Sequence, residues 1–135
     1  MSDAVYLGSF LIVYANLISF VDVADLGSQS TGGGNVSLDL ILRTLASSRR
    51  RQILDLLVAP TQNFPPQRDG DLVRDGVCGL LIARKLKISQ PTASDHLNMM
   101  VQAGFLRAKR IKQWTFYKRD ERSISNIKRE INGSF

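Results

Sequence analysis

Residues 77–104 decide the fold: Val77-Cys78-Gly79-Leu80-Leu81-Ile82-Ala83-Arg84-Lys85-Leu86, then Lys87-Ile88, then Ser89-Gln90-Pro91-Thr92-Ala93-Ser94-Asp95-His96-Leu97-Asn98-Met99-Met100-Val101-Gln102-Ala103-Gly104. The first ten are apolar enough for a short helix, with Leu80, Leu81, Ala83 and Leu86 available to a core. Lys87 and Ile88 leave room only for a tight connection. Ser89 then stands at an N-cap, and Pro91 is tolerated in the first turn because an N–H there has no intrahelical acceptor. The second helix runs from about Gln90 to Ala103 and stops at Gly104, a suitable C′ residue. Two short helices joined this tightly, the second opening on Ser, Gln and Thr, make a helix-turn-helix.

At about 100° per residue, Ala93, Leu97, Met100 and Val101 share one side of the second helix. Thr92, Asp95, Asn98 and Gln102 fall roughly opposite, with Gln90 and Ser94 on the flanks near the N-terminal end. Small polar groups at that end are what reading base edges requires. Gln90 suits a bidentate pair with adenine, Asp95 can accept from cytosine, and Thr92 or Ser94 can bond either base or phosphate. Asp95 would repel a phosphate, so a base edge is its sensible target.

Beyond Gly104, Phe105-Leu106-Arg107-Ala108-Lys109 and Trp114-Thr115-Phe116-Tyr117-Lys118 read as two strands, separated by Arg110 to Gln113. The resulting hairpin has a cationic tip. Lys109, Arg110, Lys112 and Gln113 suit contact with a nucleic-acid backbone or minor groove beside the helix. Trp114, Phe116 and Tyr117 are expected in the hairpin's packing rather than stacked on bases. A last helix over residues 120–131 spaces Ile124, Ile127 and Ile131 for either the domain core or, preferably, a partner subunit.

Upstream, Ser37 caps a helix carrying Leu38, Ile41, Leu42 and Leu45, and Ser47 caps another with Ile53, Leu54 and Leu57 turned inward. Arg49, Arg50 and Arg51 lie in the early turns of the latter, where cations oppose the helix dipole. A solvated face, phosphate contact or a cross-subunit ion pair would each account for them. Residues 59–75, holding Pro60, Pro65, Pro66 and Gly70, read as a long loop with no regular element, and such loops are often functional.

The chain before Ser37 has two parts. Residues 1–26 contain an 18-residue stretch without charge, Ala4 to Val21, and residues 27–36 form a Gly/Ser-rich linker around Gly32-Gly33-Gly34. The apolar stretch is at the lower edge of what spans a bilayer. It reads as a packed extra helix, a membrane anchor or the product of a start codon placed too far upstream. Residues 37–135 are then the functional domain.

Charge along the 135 residues is uneven. Residues 1–42 carry −4, residues 43–83 carry +2, residues 120–135 are neutral, and residues 84–119 hold nine Lys or Arg against Asp95 alone, for +8. That concentration is the footprint of a nucleic-acid or anionic-membrane surface, or of a solvated basic face, and together with the polar outer face of the second helix it favours double-stranded DNA. One cysteine, Cys78, and one histidine, His96, exclude an intrachain disulfide, a multi-cysteine zinc site and any paired acid-base constellation, so an enzyme is not expected. Cys78 remains a candidate redox switch or a structural thiol. The rival to a DNA-binding function is a protein-interaction module, anchored at the membrane through residues 4–21.

Several of these segments resemble the ArsR/SmtB winged-helix repressors: Leu45 to Leu54, Ser89 to Leu97, the Ala103-Gly104-Phe105-Leu106 hinge, and Trp114-Thr115-Phe116-Tyr117. The resemblance implies a mainly α fold with a small β-hairpin, a winged helix-turn-helix whose first and last domain helices form a homodimer interface. It also implies a repressor on a palindromic operator, released by an effector; the single cysteine fits a cytoplasmic location. The alternative location is an inner-membrane anchor with the DNA-binding domain in the cytoplasm. On that pattern the DNA-contacting residues are Ser89, Gln90, Thr92, Ser94, Asp95, Lys109, Arg110, Lys112 and Gln113. Cys78 aligns with the first thiolate of the metal-sensing members' Cys-x-Cys pair, but Leu80 takes the second position and the last helix lacks His. No metal and no cofactor are expected, and the effector is unknown.

Overall fold

The computed structural model describes residues 36–135, so the expectations for the apolar stretch 4–21 and for the linker up to residue 35 lie outside the described residues. Six helices and three strands follow in the order α1 (Leu38–Leu45), α2 (Ser48–Leu56), α3 (Pro60–Asn63), β1 (Val77–Cys78), α4 (Gly79–Leu86), α5 (Gln90–Gln102), β2 (Leu106–Ile111), β3 (Trp114–Arg119) and α6 (Glu121–Gly133). The architecture is the mainly helical winged helix-turn-helix the sequence implies.

Local chemistry fixes most helix ends. Ser37, Ser47 and Ser89 take extended backbone and accept from the N–H groups of Leu40, Arg50 and Thr92, so each cap satisfies a donor that the first helical turn leaves without a partner. Asp120 does the same for Ser123 at the head of α6. At the other end of α5, Gly104 adopts φ 85°, its N–H donates to Val101 O and the N–H of Phe105 reaches Met100 O. This pair of bonds is a Schellman ending, which favours glycine at the left-handed position. A Cβ on Gly104 would also come within 2.5 Å of Ser123 Oγ.

Two expectations are corrected here. Val77 and Cys78 are not the start of a helix but a two-residue strand, paired antiparallel to β3 with Val77 opposite Tyr117 and Cys78 opposite Phe116. The hairpin is therefore part of a three-stranded sheet in the order β1-β3-β2. The hairpin itself runs from Leu106 opposite Arg119 to Ile111 opposite Trp114, so Arg110 and Ile111 belong to a strand and only Lys112 and Gln113 make the turn. Lys112 accepts φ 55° to close it.

The second correction concerns residues 59–75, which are more ordered than a plain loop. Pro60 opens a single helical turn, as a first-turn proline can, and Asn63 Nδ2 donates to the carbonyls of Leu56 and Ala59. Phe64 is buried, and Gln67 Nε2 donates to Gly76 O at 2.7 Å while Gln67 Oε1 accepts from Cys78 N at 3.0 Å. Asp71 Oδ1 accepts from the N–H groups of Val73 and Arg74, folding the next turn on itself. The segment is docked on the sheet.

One hydrophobic core joins all layers, with Ile41, Ile53, Ile82, Leu97, Met100 and Phe105 almost fully buried. In α4 the buried set is Ile82, Ala83 and Leu86, which leaves Leu80 and Leu81 only half-covered. Ile124 and Ile127 of α6 pack into this core, and α6 lies against α1. Leu42 of α1 is 41% exposed.

Candidate nucleic-acid interface

The buried stripe of α5 is Ala93, Leu97 and Met100, with Val101 half-covered at its edge. Packing that stripe on α4 and α2 turns the opposite face outward. Gln90, Thr92, Ser94, Asp95 and Asn98 are all exposed. Gln90, Ser94, Asp95 and Asn98 make no side-chain hydrogen bond or ion pair among the described residues. The cap commits Ser89 differently. Its hydroxyl accepts from Thr92 N at 3.2 Å and donates to Thr92 Oγ1 at 2.8 Å, which leaves the Thr92 hydroxyl hydrogen available outward.

The turn before α5 is a second Schellman ending. Lys87 sits at φ 55°, its N–H donates to Arg84 O and the N–H of Ile88 reaches Ala83 O. This holds α4 and α5 at a fixed angle with only Lys87 and Ile88 between them before the cap. Arg49 of α2 adds a tie from outside, its Nη1 donating to Leu86 O at the end of α4.

The arginine triplet thus has a backbone role, which none of the three expected readings named. Arg50 donates to Arg43 O and also reaches Met99 Sδ on α5, and Arg51 donates to Leu45 O at 2.6 Å. Cations that oppose the dipole of their own helix here satisfy the carbonyl ends of α1 and α4, where positive charge is favourable. His96, half-buried on α5, lies near this cluster. Its burial, followed by the charges of Arg50 and Arg49, lowers its pKa below the ordinary value, while Asp95 opposes them.

The wing is cationic, but much of its charge is answered by its own chain. Lys109 Nζ lies 2.6 Å from Asp75 Oδ1, Lys112 Nζ 2.9 Å from Asp69 Oδ1, and Arg107 Nε 3.1 Å from Asp120 Oδ2. Asp75 is 97% buried and also accepts from Asp71 N and Arg74 Nη2. Led by the Lys109 bond, these contacts hold its carboxyl far below the usual carboxylate range. Asp69 correspondingly pushes Lys112 up. Arg110 Nε donates to Lys112 O across the turn, and Gln113 is exposed beside it.

The residues that charge counting undervalues are Lys85 and Lys87. Both are exposed and without a side-chain partner among the described residues, and they flank the entry to α5. Cations in the last turn of a helix suit its dipole, so in the sequence they pass for helix-end chemistry. The +8 segment contained the signal; only the fold separates these lysines from the paired ones.

The chain is similar to known proteins in sequence and in fold. The model of the bacterial regulatory protein, arsR family, matches residues 81–108, which take in most of α4, the turn, α5 and the start of β2. The uncharacterized HTH-type transcriptional regulator YbzH of Bacillus subtilis (strain 168) is 39% identical over 87 residues, covering 64% of this chain and 87% of that protein. The chain belongs to the ArsR family. Members are transcriptional regulators with a helix-turn-helix DNA-binding fold, not enzymes. The crystal structure of an ArsR-family transcriptional regulator superposes with a TM-score of 0.52 at 14% identity, over 71% of this chain and 84% of that one, and so shares the fold. HlyU from Vibrio cholerae N16961 aligns with a TM-score of 0.48 at 20% identity, over 72% of this chain and 89% of its own.

Other sequence expectations fall around this interface. Among the described residues no three His, Cys, Asp or Glu side chains converge as a metal site would require, and no helix is long and apolar enough to cross a membrane. Cys78 is half-buried on β1, immediately before α4, rather than inside an apolar helix.

Proposed function

We propose that this ArsR-family protein is a cytoplasmic repressor that binds double-stranded DNA as a homodimer on a palindromic operator. The observation that carries this reading is the head of α5. Gln90, Ser94, Asp95 and Asn98 are exposed, without side-chain partners among the described residues, on a helix whose other face is locked into the core. In the major groove, Gln90 would pair with adenine and Asp95 with cytosine, and Thr92 or Ser94 would reach a base or phosphate. Lys85 and Lys87 would hold phosphates beside the helix, and Arg110, Lys112 and Gln113 would follow the backbone from the wing, with Lys109 the least available.

The dimer would form through α1 and α6. Exposed Leu42 and half-buried Ile131 leave apolar surface there beyond the single chain's core. Two α5 helices would then enter successive major grooves roughly 34 Å apart, and occupation of the site would block polymerase. The test is selection of bound duplexes from a random pool by the full chain, followed by affinity against salt. The expected result is a two-fold symmetric site and a slope of log K against log salt of roughly −5 to −9. No enriched sequence, or an affinity indifferent to salt, would overturn the reading.

A further inference from the structure

The docked segment 64–76, helix α4 and the wing line a cleft of about 460 Å3; of its lining residues only Lys112 and Gln113 belong to the DNA-binding reading. Its size is in the range of small-molecule sites, commonly about 300–1,000 Å3. The walls are built rather than incidental. Gln67 ties one wall to β1 by two hydrogen bonds of 2.7 and 3.0 Å, and Gly70 packs against the Phe116 ring, where a Cβ would approach to 3.1 Å.

Apolar surface and positive charge meet in this cleft. Leu80, Leu81 and Trp114 line it, the leucines being the two that α4 leaves half-covered, Leu81 at the edge of the core. Arg68 and Arg84 also line it, and neither has a side-chain hydrogen bond or ion pair among the described residues. The carboxylate among the lining residues, Asp69, is already held by Lys112. Two guanidiniums beside an apolar, partly aromatic surface match a ligand with an apolar body and an anionic head. A phosphodiester backbone has no apolar body to cover that surface.

We propose that this cleft binds a small organic anion, an aromatic carboxylate or sulfonate. The site is independent of which DNA sequence the protein reads. Trp114 is the single tryptophan of the chain, so the site reports its own occupancy. The experiment titrates the full chain, without DNA, with 8-anilinonaphthalene-1-sulfonate. The expected result is saturable quenching of Trp114 with one probe per chain, about tenfold weaker in the Arg68→Gln/Arg84→Gln protein, as loss of charge-assisted bonds would give. The neutral N-phenyl-1-naphthylamine should bind weakly to both proteins. Both arginines are exposed, so the double variant should keep its thermal midpoint. Absence of saturation, equal affinity in the double variant, or displacement of the probe by a random-sequence duplex would overturn the proposal. Failure to bind DNA at all, with the probe titration intact, would count against the operator reading and leave the cleft standing.

Discussion

At the head of α5, Gln90, Ser94, Asp95 and Asn98 meet no polar partner among the described residues, whereas in the wing Arg107, Lys109 and Lys112 each lie on a carboxylate. The two regions are only Ala103, Gly104 and Phe105 apart in sequence, yet they present polar and charged groups in different ways. The helix offers polar groups without partners on a rigid support, which is what discrimination between bases needs. The wing offers charge that is partly neutralised in advance. Four of the nine cations in residues 84–119 are ion-paired with acids outside that segment, at positions 69, 75, 120 and 121. A count along the chain therefore overstates the field that an approaching phosphate meets. Exposed pairs of this kind are weak, so a phosphate can replace the carboxylate at small cost for Lys112. Lys109 is different, because releasing it would take from the buried Asp75 carboxylate its shortest cationic contact and leave it only Asp71 N and the exposed Arg74.

The contrast breaks most severely if the wing is removed as a folded unit. Phe116 is almost fully buried at the centre of the sheet, and Phe116→Ala should cost about 3–5 kcal/mol in chemical denaturation. A loss well under that would mean that the wing is not integral to the core. Gln90→Ala tests the other side. It should lower affinity for the selected operator by about 1–3 kcal/mol and relax the preferred sequence, while Lys112→Ala weakens all duplexes about equally and reduces the salt slope by about 1. An unchanged preferred sequence after Gln90→Ala would mean that α5 is oriented otherwise in the groove.

Smaller effects sharpen the comparison. Ser89→Ala removes the bonds to Thr92 and should destabilise the protein by about 1 kcal/mol, measured by urea denaturation. If the head of α5 is as dependent on its cap as the geometry indicates, amide exchange at Pro91's neighbours Thr92 and Ala93 will rise with it. Asp69→Asn releases Lys112 without altering its position in the turn. Affinity for random-sequence duplex should then increase and the salt slope steepen, both by less than the Gln90 effect. An unchanged slope would show that Lys112 does not reach the backbone.

What the sequence disclosed divides along the same line. Helix α5 and its approach are legible because their signals are local: Ser89 at the cap, Pro91 in the first turn, Gly104 at the end, and apolar residues on one face between them. Strand β1 is not legible, since two residues carry no periodicity and their partners, Phe116 and Tyr117, lie some forty positions later. The docking of residues 64–76 is hidden for the same reason. It depends on Gln67 reaching Gly76 and Cys78, and on Asp69 and Asp75 meeting lysines 43 and 34 residues away. The arginine triplet looked unfavourable because only its own helix dipole is visible in the sequence; the carbonyls of Arg43, Leu45 and Leu86 that receive it become neighbours only when the helices pack. Solvent-facing identity at Gln90 to Asn98 was readable from spacing, but which wing cations are already paired required the fold.

The smallest expected effect probes the joint between the arginine cluster and α5. His96 has its pKa lowered first by burial and then by Arg50 and Arg49, so the folded chain binds its proton less readily than the unfolded chain does. The sign follows from linkage: the neutral form contributes its full stability above the unfolded value near 6.5, and that contribution is lost as pH falls from there through the lower folded value. Asp75 does not interfere, because its carboxyl is held far below the ordinary range and titrates only in stronger acid. Thermal midpoints taken between about pH 7.5 and about pH 5.5 should therefore fall in the parent protein and fall less in His96→Gln, which keeps a polar side chain without the titration. Arg50→Gln should also flatten the profile by removing one of the two cations that depress His96, but it will lower the midpoint at every pH because the bonds to Arg43 and Met99 go with it. Equal slopes in the parent and His96→Gln would mean that the proton is taken up elsewhere, and that the contact between α2 and α5 is not what couples acid to α5.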